Sequence, residues 1–77
     1  MKGNQMKKVT DAAGTTATVS VRPGCDMHRA AGKSAPAEYD SKTHMGPWAY
    51  MCADCFRVYG SGLGMGRGQR LIVRDEP

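Results

Sequence analysis

The sequence predicts a small α+β domain held together by a bound metal ion, and three observations lead there. The chain has 77 residues and a mass of 8.3 kDa, yet Val, Leu, Ile and Phe together supply only nine side chains, about 12% of the total, far below an ordinary core. Its three cysteines and one of its two histidines fall into two pairs with the same two-residue gap. Short β-branched runs bounded by turn-forming clusters accompany one stretch that reads as a helix. A domain this small needs a staple, whether disulfides, a metal or an oligomer. An odd number of cysteines cannot close a complete disulfide framework, so the staple to expect is a metal.

Taken in order, residues 1–8 carry Lys2, Lys7 and Lys8 without periodicity and read as a mobile basic arm. Residues 9–74 are expected to form the single metal-binding domain, and residues 75–77 a polar tail. Lys8-Val9-Thr10 and Thr16 to Arg22 are β-branched runs on either side of the turn composition Asp11-Ala12-Ala13-Gly14, which predicts a hairpin with Val19 and Val21 on one face. Pro23-Gly24 then breaks the strand. Residues 29–37 are small and breaker-rich, hence a loop. A second hairpin is expected from Glu38-Tyr39 and Thr43-His44-Met45 about a turn at Asp40-Ser41-Lys42. Gly46-Pro47 bends the chain again, and Trp48 to Cys52 alternates large and small residues as a strand does. Ala53 to Tyr59 lacks a breaker and meets Gly60 at the C-cap position, predicting a helix of about two turns. Gln69 to Arg74 reads as a last strand.

The pairs are Cys25-x-x-His28 and Cys52-x-x-Cys55, separated by 23 residues. Structural zinc takes four N or S donors in a tetrahedron, and a two-residue gap lets one tight turn aim both members of a pair at the same ion. One structural Zn2+ on Cys25, His28, Cys52 and Cys55 is therefore the expected cofactor. Four protein donors close the coordination sphere and leave no position for an activated water, so an enzyme is not expected. Three thiolates on a dication leave the site with a charge of −1.

The arrangement resembles the treble-clef finger and, more loosely, the zinc ribbon: a knuckle at Pro23 to His28, a hairpin over residues 37–52, and a helix whose first turn carries Cys52 and Cys55. The likeness covers residues 23–60. Its ligand pattern is similar to that of GATA-type fingers, with a histidine in place of the second cysteine and a longer connection. The resemblance implies a zinc-stabilised fold with extra short strands and leaves the partner open, since treble clefs bind DNA, RNA and proteins alike. The wording of Tyr39 to Thr43, Met45 to Cys52 and Gly62 to Leu71 also resembles small uncharacterised zinc-binding proteins of actinobacteria and their phages, which implies a phage origin and an accessory role in a host cytoplasm.

From Gly60 to Gly68 a glycine stands at every second position. A flexible linker, an extended segment whose bare face admits Trp48 or another backbone, and an anion cradle beside Arg67 and Arg70 are all compatible with that pattern. The extended form would place Leu63, Met65 and Arg67 on one side. Trp48, Tyr50, Phe56 and Tyr59 are expected to form the core around the metal, with Met45, Met51 and Met65 filling gaps. His44 lacks a partner at ligand spacing.

The net charge is +4, and its distribution is more informative than its sum. Residues 57–74 contain Arg57, Arg67, Arg70 and Arg74 and no acid, which suits an anionic partner. No apolar run approaches the roughly 20 residues of a membrane span, and the N-terminus lacks the apolar stretch of a secretory signal. The expectation is thus a cytoplasmic, non-enzymatic module without a membrane or small-molecule substrate. It binds nucleic acid through Arg67, Arg70 and Arg74, or alternatively a host protein through Leu63 and Met65.

Overall fold

Seven short elements follow one another through residues 8–74, the part of the chain that the computed structural model describes. They are β1 (Lys8–Thr10), β2 (Thr16–Val19), α1 (Asp26–Ala30), β3 (Tyr39–Lys42), β4 (Trp48–Met51), α2 (Ala53–Tyr59) and β5 (Gly68–Val73). The fold is thus a small α+β domain. The expected arm at 1–8, apart from Lys8 at the start of β1, and the tail at 75–77 lie outside the described residues.

The strands make one five-stranded sheet in the order β1-β2-β5-β3-β4. β1 and β2 are the expected hairpin, and Asp11 fixes its turn: its carboxylate accepts the backbone N–H groups of Thr15 at 2.9 Å and Thr16 at 3.2 Å. β5 lies between β2 and β3, parallel to the first and antiparallel to the second. The last strand in sequence is thereby the central strand of the sheet.

Side chains alternate across a strand, so the register sorts them onto two faces. Ala17, Val19 and Leu71 point to one face, where with Tyr50 and Ala37 they form the buried cluster. The segment from Val19 to Ala37 closes over them, held by a bridge between Gly24 and Pro36 and by the Arg22 guanidinium donating to the Ala37 carbonyl at 2.8 Å. Burial and the nearby Asp40 and Asp26 carboxylates push the Tyr50 phenol above its ordinary pKa. On the other face α2 packs over β3 and β4, and Phe56 stacks on Tyr39 with ring centroids 4.0 Å apart.

Several sequence expectations are corrected. The second hairpin turns at residues 43–47, because Asp40, Ser41 and Lys42 continue the strand and pair with Tyr50, Ala49 and Trp48. Thr43 secures that turn, its hydroxyl donating to the Pro47 carbonyl at 2.7 Å. Val21 lies beyond the end of β2 and is exposed, so it does not share the buried face of Val19. Trp48, Tyr59, Met45 and Met65 are exposed, leaving Tyr50 and Met51 as the large buried residues of that set. The glycine segment is not extended: Gly62, Gly64 and Gly66 all have positive φ, and mutual backbone hydrogen bonds between Gly64 and Gly68 close a tight loop.

That loop is seated by its last glycine. A Cβ on Gly68 would lie 2.5 Å from the Gly62 carbonyl oxygen and 2.7 Å from the Ser41 Cβ, whereas one on Gly66 would meet nothing. The fully buried Ser41 ties the same region together, its hydroxyl reaching the Arg67 carbonyl at 2.9 Å and accepting the Ser61 N–H at 3.3 Å. Gly68→Ala is therefore expected to destabilise the protein by about 1–3 kcal/mol through overpacking against rigid backbone. Gly66→Ala has only its backbone conformation to lose, about 1–2 kcal/mol. Thermal denaturation of the metal-loaded variants checks the order. A Gly66 variant less stable than the Gly68 variant would contradict it.

Candidate metal centre

Both ligand pairs are built in the same way. Cys25 is the N-cap of α1 and His28 stands three residues on, in its first turn; Cys52 is the N-cap of α2 and Cys55 stands in the corresponding place. In a helix the N-cap and N3 side chains lie side by side, which is the geometry of a capping box. Here a sulfur stands where Ser or Asp commonly stands, and the pair turns outward to share a ligand site. Both cap residues keep the extended backbone that this requires, with ψ of 122° at Cys25 and 170° at Cys52.

Two contacts bring the helix ends together. β4 is an edge strand, and its Tyr50 N–H donates to the Asp26 carboxylate of α1 at 2.9 Å. β4 then runs directly into Cys52. The Cys25 N–H is held by the Ala35 carbonyl at 2.7 Å. Sequence reasoning gives Asp26 no role, because a carboxylate beside a ligand carries no signal until the edge strand it meets is known.

The ligand atoms of Cys25, His28, Cys52 and Cys55 all lie within 4.8 Å of one another. The His28 Nδ1 faces the three sulfurs, at 3.3 Å from Cys25, 3.7 Å from Cys52 and 3.6 Å from Cys55. A tetrahedral ion with Zn–S of about 2.3 Å and Zn–N of about 2.0 Å requires N to S separations of about 3.6 Å. The donor set fits such an ion, and all three cysteines are free of disulfides. The four residues form a Cys3His cluster that can hold one metal ion. His44 is exposed on the β3 to β4 turn and takes no part.

The cluster concentrates charge. Burial pushes the Cys25 thiol up, but hydrogen bonds from the His28 ring, from the backbone N–H groups of Cys52 and His28, and from Cys55 outweigh it and bring the pKa down to about 6. Cys55 moves the other way, up to about 12, through burial and then its Cys52 and Cys25 neighbours. A thiolate at Cys25 is thus readily accommodated, whereas one at Cys55 needs a cation beside it.

The other singled-out residues lie elsewhere. Arg67, Arg70 and Arg74 are exposed along the glycine loop and β5, and none forms an ion pair among the described residues. Leu63 and Met65 are exposed on the loop itself, with the Met65 backbone close against Gly14 of the first turn. No helix among the described residues is long and apolar enough to cross a membrane. No protein-family model, curated protein or solved structure matches the chain.

Each thiol proton competes with the metal, so affinity should rise with pH. An unfolded metal-free chain at pH 7 holds its thiols mostly protonated, at the ordinary pKa of about 8.5, and should release close to three protons per ion bound. A site already folded, with Cys25 ionised, would release fewer. Calorimetry in buffers of different ionisation heat counts them. About three is expected.

Proposed function

We propose that the chain is a non-enzymatic binding module in which one structural Zn2+ on Cys25, His28, Cys52 and Cys55 orders a domain that engages nucleic acid. The observation carrying the zinc assignment is the match of three Nδ1 to Sγ distances to a tetrahedral ion. Three thiolates and an imidazole favour zinc over hard cations. With four protein donors the sphere is closed, which argues against catalysis at the metal. The reducing cytoplasm, where thiolates persist, is the fitting compartment.

We read the architecture as treble-clef-like. Supporting this are the turn at Pro23 to His28, the β3 and β4 hairpin, and α2 with Cys52 and Cys55 at its start. The short α1 and the parallel pairing of β2 with β5 are additions to that pattern.

The nucleic-acid reading rests on Arg67, Arg70 and Arg74, exposed in a stretch from 57 to 74 that contains no acid. Arg57 in the same stretch is engaged with Asp54. A second reading, an adaptor for a host protein and a phage-encoded modulator in that setting, is favoured by the exposure of Met65 at 77% and Leu63 at 38%, since solvent-facing apolar side chains serve protein interfaces.

Removing zinc should unfold the protein, because so few apolar side chains cannot offset the ordering entropy of the chain. Circular dichroism and amide dispersion that stay native after chelation, at zero metal content, would refute the structural role. Single replacement of any of the four ligands by Ser or Ala should have the effect of chelation, whereas His44→Ala should retain one zinc per chain.

Partner class is separated by Arg67→Ala and Leu63→Asp. Phosphate contacts make log affinity fall with log salt by about 0.7–0.9 per contact, so Arg67→Ala should reduce that slope by nearly one. Leu63→Asp should leave nucleic-acid binding nearly intact in a folded protein. Absence of binding to DNA or RNA at low salt rejects this reading and favours the adaptor.

A further inference from the structure

Among the described residues, one half of a sheet face lies beside the strands that α2 packs against and not beneath that helix. Thr18 of β2 pairs with Ile72 of β5, and Thr16 pairs with Arg70, which in turn pairs with Tyr39 of β3. Residues directly opposite in a ladder share a face, so Thr16, Thr18, Arg70, Ile72 and Tyr39 stand on the side of the sheet away from the buried cluster. α2 packs over β3 and β4 and ends the uncovered region at the Tyr39 and Phe56 ring stack. Thr16, Thr18, Ile72, Tyr39 and Phe56 are all half-exposed, and Arg70 is exposed.

Charge runs along this half-face. Arg74 keeps the pairing alive beyond β5, its N–H donating to the Val19 carbonyl at 2.9 Å, so it falls on the same side as Arg70, about 13 Å further along at the usual strand rise. At the other end the Arg67 Nε donates to the Ser61 carbonyl at 3.3 Å, and the Ser61 N–H rests on the Ser41 hydroxyl of this same face. Arg70 within β5 and Arg74 just past its end thus share this side, and Arg67 stands in the loop that leads into the strand. Among the described residues no acidic residue of a strand falls on this side: Asp40 pairs with Gln69 and Tyr50 on the other.

We propose that this half-face of β2 and β5, with Arg70 and Arg74 along it, Arg67 in the loop at its end and the Tyr39 and Phe56 stack at its border, is a platform for a single strand of nucleic acid. The proposal rests on the nucleic-acid reading above and names its substrate form and surface. Single strands are held by a basic track for phosphates beside apolar and aromatic faces for bases, with little demand on sequence. Duplex reading asks for an element that enters a groove. The helices here have five and seven residues, and the N-termini of both are occupied by the ligand site. A second copy docked face to face would set Arg70 and Arg74 near their own counterparts, and like charges oppose such pairing.

The test uses the full zinc-loaded chain and fluorescence anisotropy with labelled 20-nucleotide oligo-dT, oligo-rU and a 20-base-pair duplex across a salt series. Both single strands are expected to bind more tightly than the duplex, and the dT and rU arms rank DNA against RNA. Arg70→Ala and Arg74→Ala should each lower the salt slope by about 0.7, while Arg29→Ala on α1 leaves it unchanged. Amide shift mapping on the wild-type protein, which does not depend on any variant folding, should place the perturbations at residues 16–18 and 67–74. Tighter duplex binding overturns the single-strand assignment. Single-strand binding with shifts confined to other surfaces overturns the platform and leaves the nucleic-acid reading standing, whereas failure to bind any of the three probes at low salt removes both.

Discussion

The convergence of two helix starts on one set of ligand atoms is the constraint on which the rest of the structure depends. Cys25 and His28 enter from the segment that follows β2, Cys52 and Cys55 from the segment that follows β4, and 23 residues separate the pairs. Joining them fixes the loop that closes over Ala17, Val19 and Leu71. The buried cluster otherwise has only Ala37 and Tyr50 to add, and two alanines, a valine, a leucine and a tyrosine bury too little area to order this many residues. A dication held by Cys25, His28, Cys52 and Cys55 would supply what that cluster lacks. It would also relieve the site, because burial and then the Cys52 and Cys25 neighbours push the Cys55 thiol up to about 12, and a cation beside it favours the thiolate.

The sheet depends on closure in a second sense. β5 is central in space and last in sequence, parallel to β2 and antiparallel to β3. Neither hairpin is joined to the other until β5 inserts between them. Contacts of such long sequence separation are made late, after their loop entropy has been met. An ion held by the Cys3His cluster would shorten that search, since a chain tied at 25–28 and 52–55 already holds β2 and β3 near the positions that β5 must bridge.

Much of this is legible in the sequence. The helix at Ala53–Tyr59, the first hairpin, the strand at Trp48 and the final strand all follow from β-branched runs, breakers and a C-cap glycine, which are local signals. The four ligands are legible because two pairs with the same gap, in a chain short of core material, point to a single ion, and the structure does bring them together. What is not legible is non-local. Asp40-Ser41-Lys42 has turn composition and yet forms a strand, because β4 on one side and β5 on the other satisfy its backbone, and tertiary pairing overrides local preference. The glycine series is open to three readings because alternation alone does not fix φ. Positive φ at Gly62, Gly64 and Gly66 makes it a loop, and Gly68 at its end is pressed on two sides, by the Gly62 carbonyl and by Ser41. Trp48 and Tyr59 read as core because large aromatics usually are, but the cluster they were expected to fill is occupied by Tyr50 and small side chains.

The shortage of apolar material also limits what the sheet can cover. A two-faced sheet buried on both sides needs a near-continuous run of apolar residues in its central strand, and β5 reads Gln69, Arg70, Leu71, Ile72, Val73 with Arg70 facing out. One face takes Ala17, Val19 and Leu71, and on the other α2 is only seven residues long and packs over β3 and β4. Thr16 and Thr18 suit the remainder, since a β-branched residue with a hydroxyl keeps strand geometry in contact with water. The uncovered half-face is therefore a stable surface of this fold. An exposed arginine on a central strand, among neighbours that tolerate solvent, is what such a surface requires in order to remain open while presenting fixed positive charge.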